Sequence, residues 1–288
     1  MTAKQTEMSF KTQSGKTLVA GVFGWPINHS RSPRLHGYWL AKYGIDGAYL
    51  PFSTRPENLV DAIRALPKLG FRGGNITLPH KERALDAVDH LSDVARRIGA
   101  INTLIVQDDG SIHGDNTDGY GFVEHLKASA PHWHPGYKAV VLGAGGAARG
   151  IIVALQDAGV SNIVITNRTA ARADSLANTL DGAVDVVGWD DRAAALKDAT
   201  LLVNTTQLGQ AGQPPLDIDL KHLPREAVVD DIVYVPLETD LLREAKARGN
   251  ATVDGIGMLL HQARPGFKSW FGKEPEVDSA LRDFVLAG

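Results

Sequence analysis

The sequence predicts a two-domain α/β fold with a doubly wound parallel sheet, and three observations lead to that prediction. Residues 139–142 form a short apolar run rich in valine, which is typical of a buried parallel strand, and a glycine-rich turn and a helical pattern follow at once. Helical and extended segments then alternate as far as residue 254, as they do in parallel sheets with helices on both faces. A length of 288 residues suggests about two domains.

The composition is that of an ordinary globular protein. Hydrophobic residues make up 43% of the chain, charged residues 22%, and the formal net charge is −3. This balance argues against nucleic acid or an anionic membrane as a partner, and no apolar run is long enough to span a bilayer. The chain has no cysteine, which excludes disulfides, thiolate metal sites and a cysteine nucleophile. We expect a cytoplasmic protein without a metal, preceded by a polar N-terminal extension at 1–16.

The turn after residues 139–142 has the spacing of a dinucleotide-binding fingerprint. Gly143, Gly145 and Ala148 follow the pattern G-x-G-x-x-A. The first permits a tight turn, the second lets the backbone approach a pyrophosphate, and the third lets helix and strand pack closely. The helix N-terminus then offers free N–H groups to the phosphates. The candidate cofactor-binding residues of this turn are Gly143, Ala144, Gly145, Gly146 and Ala147. A tight turn without a ligand is the alternative.

The next extended segment ends in a basic turn. A site for NAD usually carries an acidic residue here, which binds the ribose 2′-hydroxyl. This chain instead has Asn167, Arg168 and Thr169, with Arg172 nearby. Guanidinium groups pair well with phosphate oxygens, so these residues favour the 2′-phosphate of NADP(H) over NAD(H). A solvated basic turn is the alternative.

A serine pair follows the first predicted strand. Ser30 and Ser32 lie in a polar loop between that strand and a helix, which is where ligands bind in open α/β sheets. Ser32 also precedes Pro33, so it is a suitable N-cap for the helix. A ligand role and a capping role therefore both remain open for Ser32.

Two titratable residues stand at predicted helix starts. Pro79 suits the first position of a helix, which would place Lys81 in its first turn, where a cation opposes the helix dipole and is suited to proton transfer. A solvated surface lysine is the commoner case. Asp118 precedes Gly119 at the start of another predicted helix, and the local pattern allows either catalysis or simple capping.

The other elements are predicted from periodicity and from flanking glycines and prolines. Strands are predicted at 18–23, 48–52 and 71–76 (broken by Gly73 and Gly74), and residues 99–104 lead into a strand that runs through 106. Further strands are predicted at 162–166, 184–187, 201–204, 227–233 and 252–254. Helices are predicted at 32–44, 57–66, 147–159, 170–180, 191–196 and 241–247, and after 79, 118 and 255. Asp108, Asp109 and Gly110 predict a hairpin turn. The local pattern allows Gln262 to be a polar residue on an exposed helix side.

Seven motifs occur in an order that resembles one enzyme family. They are GWPINHSRSP at 24–33, GGNITLPHK at 73–81, AINTL at 100–104, GDNTDG at 114–119, GAGGAA at 143–148, NRT at 167–169 and GIGMLLHQ at 255–262. Each motif is modest evidence alone, but the ordered set is highly specific and covers nearly the whole chain. On these motifs the chain is similar to the shikimate/quinate dehydrogenase family, whose NADP-dependent members serve aromatic amino-acid (chorismate) biosynthesis.

The resemblance implies roles for particular residues and a division into domains. Lys81 and Asp118 match the catalytic pair. The positions that match substrate-binding residues are Ser30, Ser32, Thr77, Asn102, Tyr234 and Gln262. The positions that match the nicotinamide end of the cofactor site are Ile232 and Gly255. The implied domains are a substrate domain at 17–118 and 255–288 and a Rossmann-like NADP domain at 119–254, with the active site in the cleft between them.

The implied reaction is the reversible reduction of 3-dehydroshikimate to shikimate by NADPH, and the implied partner is this small-molecule substrate. Cationic Lys81 would stabilise the negative charge that grows on the reacting oxygen and supply its proton, while Asp118 would orient the ammonium. One alternative is an enzyme that accepts quinate or NAD. Another is a non-catalytic NADPH-binding sensor, against which the presence of both residues argues. A fragment of a fused pathway enzyme is disfavoured because no extra domain is visible. Monomer and homodimer are both open.

Overall fold

The structure is a computed structural model that describes residues 13–136 and 138–287. It contains two six-stranded sheets flanked by helices. Most of the predicted N-terminal extension, residues 1–12, lies outside the described residues, and residues 13–17 lead through a turn into the first strand. Within the described ranges, each helix is too short or too polar to cross a bilayer.

The first sheet is built from the chain up to Asp115 and is mixed. Its strands are β1 (Leu18–Gly24), β2 (Gly47–Ser53), β3 (Phe71–Ile76), β4 (His90–Leu91), β5 (Thr103–Val106) and β6 (Ile112–Asp115). They lie in the order β2–β1–β3–β5–β6–β4, with β1 parallel to β2 and β3, and β5 antiparallel to β3 and β6. The helices of this part are α1 (Ser32–Lys42), α2 (Leu59–Ala65) and α3 (Asp93–Ile98).

The second sheet is parallel throughout and doubly wound. Its strands are β7 (Ala139–Leu142), β8 (Ile163–Thr166), β9 (Val184–Val187), β10 (Leu201–Asn204), β11 (Val228–Asp231) and β12 (Ala251–Asp254). They lie in the order β12–β11–β10–β7–β8–β9. The remaining helices are α4 (Asp118–Ser129), α5 (Gly146–Asp157), α6 (Ala170–Thr179), α7 (Asp240–Arg248), α8 (Ile256–Phe271) and α9 (Ser279–Leu286). The predicted fold class, two α/β domains of which one is Rossmann-like, is confirmed.

The apolar run of β7 is buried because helices cover both faces of the second sheet. Val141 packs into the core on one face with Ile151 of α5, and Val140 packs into the core on the other with Leu241 of α7. A strand covered on both faces has apolar residues at every position rather than at alternate ones. This explains why the pattern at 139–142 predicted the strand correctly.

The C-terminal helices return to the first sheet. Phe267 and Trp270 of α8 share a core with Trp39 of α1 and Ala20 of β1. Trp270 Nε1 also donates a hydrogen bond to the Leu104 carbonyl of β5 at 2.8 Å. The helix that follows the last strand of the second sheet is therefore fixed against the first sheet.

Two helical crossovers, α4 and α8, join the sheets and pack closely against each other. A Cβ atom at Gly121 of α4 would lie 2.6 Å from the backbone nitrogen of Gln262, and one at Gly257 of α8 would overlap the His125 ring. Because both positions are glycine, the helix backbones approach each other at these two points. The start of α4 and the middle of α8 are consequently held near the same edge of the first sheet.

Three local predictions were wrong. No helix begins at Pro79, because residues 77–82 form turns held by tertiary hydrogen bonds, and a 3₁₀ helix follows at Arg83–Ala87. The predicted helix at 191–196 is replaced by two 3₁₀ turns, since so short a segment gains little from helical hydrogen bonds. β3 continues through Gly73 and Gly74, although its register with β1 shifts by one residue just before Gly73.

Candidate active site

Lys81 and Asp118 meet where the first sheet joins α4. Lys81 lies in the turns after β3, and Asp118 is the first residue of α4. Lys81 Nζ lies 2.5 Å from Asp118 Oδ2, and the two side chains are 28% and 20% exposed. The pair is therefore sheltered but open to a small molecule, which is the arrangement that proton transfer to a substrate requires.

The lysine is not positioned by a helix start, contrary to prediction. Its backbone carbonyl accepts a hydrogen bond from the Ile101 N–H at 2.8 Å. The preceding residue, His80, is buried and donates from Nε2 to the Thr54 carbonyl at 2.7 Å. These two tertiary contacts fix the turn, and the helix-dipole argument for Lys81 does not apply.

Asp118 does not serve as a helix cap. The N-cap position of α4 is Thr117, and no side chain caps the helix there. Both carboxylate oxygens of Asp118 are instead turned toward other side chains, Oδ2 toward Lys81 and Oδ1 toward Asn102. Of the two readings that the local pattern allowed, the structure does not support capping.

Asn102 orients the carboxylate. Its Nδ2 donates to Asp118 Oδ1 at 2.8 Å, and its Oδ1 accepts from the Thr117 N–H at 2.8 Å. Because a backbone N–H can only donate, the amide oxygen must face Thr117 and the nitrogen must face Asp118. Asn102 Nδ2 also lies 3.3 Å from Gln262 Oε1. Gln262 is 9% exposed, so the alternative that it is only a polar residue on an exposed helix side was wrong.

The serine loop forms a second group. The N-cap position of α1 is Arg31, so the prediction that Ser32 is the cap was wrong by one residue. The Ser32 N–H instead donates to Ser30 Oγ at 3.3 Å. Tyr234, from the segment after β11, lies beside this loop, and the Arg31 guanidinium stands 5.8 Å from the centre of its ring. The structure thus brings Ser30, Ser32 and Tyr234 into one neighbourhood, although they come from different sheets.

Thr77 lies between these two groups along the chain but is less tightly tied to either. Its N–H donates to the Phe23 carbonyl at 3.0 Å, and its methyl group packs against Gly24 at the end of β1. In the parts of the chain that the structure describes, no hydrogen bond joins the Thr77 hydroxyl to Lys81 or Asp118. Its side chain is half-buried beside the same turn.

The glycine-rich turn leaves open space at the N-terminus of α5. Gly143 has φ of +111°, and a Cβ atom there would lie 2.6 Å from Thr205 Oγ1. This position therefore needs glycine. Among the described residues, no atom outside the adjacent residues and the local helix backbone lies within 4 Å of the place that a Cβ atom would take at Gly145 or Gly146, and no side chain caps the helix. Ala144 and Ala147 are half-buried beside them. The exposed N–H groups of a 12-residue helix at this point fit a dinucleotide pyrophosphate.

The basic turn lies at the same edge of the sheet. β7 and β8 are adjacent and parallel, and the Gly143 N–H donates to the Thr166 carbonyl at 2.8 Å, so the turn after β8 stands next to the glycines. Asn167 Nδ2 donates to the Thr169 carbonyl at 2.9 Å and closes the turn. Arg168 and Arg172 are exposed, and neither makes an ion pair with another described residue. Two unpaired guanidinium groups fit the 2′-phosphate of NADP.

Ile232 and Gly255 follow neighbouring strands of the second sheet. β11 and β12 pair Asp231 with Asp254, so the next residue of each chain segment leaves the sheet at the same edge. A Cβ atom at Gly255 would overlap the Ile232 carbonyl, which requires glycine for this close approach. Because β7, β11 and β12 are parallel strands of one sheet, both residues lie at the same edge of that sheet as Gly143.

One residue that the sequence reasoning did not select, Asp231, fixes the segment that carries Tyr234. Its carboxylate accepts hydrogen bonds from Thr239 Oγ1 at 2.7 Å, Asn204 Nδ2 at 2.9 Å and the Val233 N–H at 3.1 Å. Burial raises the pKa of Asp231 to about 6, although these bonds oppose the shift. The signal available in the sequence was a pair of carboxylates, Asp230 and Asp231, at the end of a strand that begins with two valines.

Two family models match the chain. The model described as the shikimate dehydrogenase substrate binding domain matches residues 22–104, and the model described as shikimate / quinate 5-dehydrogenase matches residues 127–211. The first match covers Ser30, Lys81 and Asn102, and the second covers the glycine-rich and basic turns.

Relatives and solved structures agree with these matches. Shikimate dehydrogenase (NADP(+)) of Paramagnetospirillum magneticum is 58% identical over 275 residues, which cover 95% of this chain and 100% of the relative. The structure of shikimate 5-dehydrogenase from Thermus thermophilus in complex with NADP(H) and shikimate is 37% identical, covers 94% of this chain and 99% of that chain, and has a TM-score of 0.83. Quinate dehydrogenase from Corynebacterium glutamicum in complex with NAD is 31% identical with the same coverage and a TM-score of 0.88. The chain belongs to the shikimate dehydrogenase family.

Proposed function

We propose that this protein is an NADP-dependent shikimate dehydrogenase, which catalyses the reversible reduction of 3-dehydroshikimate to shikimate. The observation that carries the proposal is the 2.5 Å contact of Lys81 Nζ with Asp118 Oδ2, in a sheltered site that also holds Asn102 and Gln262. The 58% sequence identity to a shikimate dehydrogenase (NADP(+)) supports the same activity.

Lys81 acts as the proton donor and acceptor. In the reduction direction its ammonium stabilises the negative charge that develops on the substrate oxygen and delivers a proton to that oxygen; in the oxidation direction the neutral amine takes the proton back. Asp118 holds the ammonium in place through Oδ2 while Asn102 fixes the carboxylate through Oδ1. Bound NADPH supplies the hydride.

The other polar residues hold the substrate. Ser30 and Ser32, with Tyr234 from the segment after β11, bind the carboxylate; Asn102, Thr77 and Gln262 bind ring hydroxyls. Two features support this division: the serines and Tyr234 share one neighbourhood, and Asn102 and Gln262 share the other with Lys81. A small carboxylate with several hydroxyls matches a site rich in hydrogen-bonding groups.

The carboxyl edge of the second sheet binds the cofactor. Gly143, Ala144, Gly145, Gly146 and Ala147 cradle the pyrophosphate at the N-terminus of α5, where a side chain would otherwise fill the space. Asn167, Arg168, Thr169 and Arg172 bind the 2′-phosphate, and Ile232 and Gly255 border the nicotinamide. The absence of an acidic residue at 167–169 supports NADP over NAD.

The division of labour corresponds to two domains. Residues 17–118 and 255–288 form the substrate domain, and residues 119–254 form the NADP domain. Packing of α8 against β1 and α1 supports the assignment of the C-terminal helices to the substrate domain.

A spectrophotometric assay tests the function directly. The purified chain is given shikimate or quinate, each with NADP or NAD, and formation of reduced cofactor is followed by its absorbance in the near ultraviolet. We expect the highest kcat/KM for shikimate with NADP. A higher value with quinate or NAD would make the protein a quinate/shikimate dehydrogenase, and no reduction in any combination would support a non-catalytic NADPH-binding sensor. Light scattering on the same preparation distinguishes monomer from homodimer.

A further inference from the structure

A series of buried polar side chains, joined by hydrogen bonds, crosses the interior of the first sheet. It begins at Tyr49 of β2 and ends at Asp118, and it passes through residues of β3 and β5. The members outside the proposed site are Tyr49, Asn75 and Thr103, which are 5%, 5% and 1% exposed. Three polar side chains at such depth require an explanation, because a buried polar group that lacks a partner is costly.

Tyr49 forms the first link. Its hydroxyl donates to Asn75 Oδ1 at 2.6 Å, so the ring reaches from β2 across β1 to β3. The residue of β1 that pairs with Tyr49 is Ala20, whose small side chain leaves room for the ring. Burial raises the pKa of Tyr49 well above its usual range. The phenol therefore stays protonated and remains a donor to Asn75.

Asn75 forms the second link. Since its amide oxygen accepts from Tyr49, its nitrogen must face the other way. Asn75 Nδ2 donates to the Asn102 carbonyl at 3.0 Å and lies 3.4 Å from Thr103 Oγ1. The register of the sheet sets this contact, because Asn75 of β3 and Thr103 of β5 are directly paired.

Thr103 forms the third link. Its hydroxyl donates to Asn102 Oδ1 at 2.8 Å, on the same oxygen that accepts from the Thr117 N–H. Asn102 Nδ2 then donates to Asp118. If the Asn102 amide were flipped, its NH₂ group would face the Thr117 N–H and its oxygen would face the Asp118 carboxylate. The hydrogen bonds from Thr103 and Thr117 therefore hold the one orientation that supports Asp118.

We infer that Tyr49, Asn75 and Thr103 are positioning residues, which hold the Asn102 amide, and through it the Asp118 carboxylate beside Lys81, by a continuous series of hydrogen bonds through the sheet. The inference rests on the proposed function, since it assumes that Lys81 and Asp118 act on the substrate. A misplacement of about 1 Å between such groups can lower a rate by about 100-fold.

Two matched pairs of variants test this inference. Thr103→Val keeps the shape but removes the hydroxyl, and Thr103→Ser restores the hydroxyl. Tyr49→Phe removes the phenol oxygen from the series of hydrogen bonds. Tyr43→Phe is its control, because the Tyr43 hydroxyl only accepts from the Glu276 N–H and is not part of this series. Each variant is assayed for kcat, for KM of shikimate and NADP, and for the kinetic isotope effect with shikimate deuterated at the oxidised carbon.

We expect Thr103→Val and Tyr49→Phe to lower kcat by about 10- to 100-fold, with KM for NADP unchanged and a larger isotope effect, because the chemical step becomes slower. Thr103→Ser and Tyr43→Phe should behave like the unmodified chain. Values of kcat within about twofold of the unmodified chain for both Thr103→Val and Tyr49→Phe would overturn the inference. So would lower kcat with an unchanged isotope effect, which indicates only a loss of folded protein. An unmodified chain without shikimate activity would instead overturn the proposed function.

Discussion

The Asp118 carboxylate uses its two oxygens for two different donors. Oδ2 faces the Lys81 ammonium and Oδ1 accepts from the Asn102 amide. A carboxylate can satisfy both because each of its oxygens is an acceptor, whereas an amide of the same shape has one acceptor and one donor. The site therefore distinguishes aspartate from asparagine by hydrogen bonding alone.

Asp118→Asn is expected to lower kcat by about 100-fold, because either orientation of the new amide sets an NH₂ group against Lys81 or against Asn102. The measurement is kcat with saturating shikimate and NADP. Asp157→Asn is the matched control, since Asp157 pairs with Arg97 on the surface between α5 and α3. Equal activities of the two variants would contradict the role given to Asp118.

Single residues were predicted unevenly. Lys81 and Asp118 were identified by motif resemblance. Their local patterns suggested a helix start and a cap, and both suggestions were wrong, because hydrogen bonds with residues distant in sequence hold Lys81 and Asp118 in place instead. Tyr49, Asn75 and Thr103 were not selected, because a polar residue within an apolar strand does not reveal its partner. Their contacts depend on strand register, which the sequence pattern does not specify for a mixed sheet.

At the scale of elements, the second sheet was predicted to within about two residues at each strand, because buried parallel strands are continuous apolar runs that end at glycines or polar residues. The hairpin between β5 and β6 was also predicted, and Gly110 there has φ of +84°. The two-residue strand β4 and the six-residue helix α3 were missed, since segments so short show no periodicity.

The contact of α4 with α8 gives a prediction for Gly121. Gly121→Ala would bring a Cβ atom to 2.6 Å from the Gln262 nitrogen and 2.7 Å from the Met258 carbonyl oxygen, so the helices must separate. We expect a loss of about 1–3 kcal/mol of unfolding free energy. In Gly37→Ala, on the exposed side of α1, no atom of the described residues beyond the local helix backbone lies within 4 Å of the new atom, and a gain of about 0.5–1 kcal/mol is expected. Thermal unfolding of the two variants should shift Tm in opposite directions, and shifts of the same sign would be inconsistent with this packing.

The contact of β12 with α9 gives a pH-dependent prediction. Arg282 donates to both carboxylate oxygens of Asp254, at 3.2 and 2.6 Å. Burial raises the pKa of Asp254, but the His125 ring and Arg282 outweigh burial and hold the pKa at about 2, below the ordinary 3.8. The ionised carboxylate therefore stabilises the fold above about pH 4, and this stabilisation is lost as the pH falls from about 4 to about 2.

Arg282→Met should lower the unfolding free energy by about 1–2 kcal/mol at neutral pH and should reduce its change between pH 4 and pH 2. Denaturant unfolding across that pH range measures both effects. Arg72→Met is the control, because Arg72 faces the fully exposed Asp108 at 3.8 Å. An Arg282→Met chain with an undiminished acid dependence would show that Arg282 does not set the pKa of Asp254.

For the whole molecule, the groups that we propose to bind the cofactor and to transfer the proton lie on different sheets. Arg168 follows β8 of the second sheet, whereas Lys81 follows β3 of the first. Helices α4 and α8 join the two parts. Tyr234, from the segment after β11 of the second sheet, lies beside the serine loop. Resemblance could predict this division, but only the coordinates show that α8 passes from the second sheet into the core of the first.

Because of this division, Arg168→Ala should affect the cofactor and not the substrate. We expect KM for NADP to rise about tenfold, which corresponds to about 1.4 kcal/mol, while KM for NAD and for shikimate change little. Arg96→Ala is the control, since Arg96 is an exposed arginine of α3 that pairs with Asp93. Equal increases in KM for NADP and NAD would show that Arg168 does not read the 2′-phosphate.

The most direct measurement is the turnover of Lys81→Ala with shikimate and NADP, together with the rise in Tm that NADP causes. Loss of the ammonium removes the proposed proton-transferring group from the first sheet and leaves the second sheet unchanged. We expect kcat to fall by about 1,000-fold, a much smaller change in KM for shikimate, and the same NADP-dependent rise in Tm as in the unmodified chain. Near-normal turnover in Lys81→Ala would contradict the account.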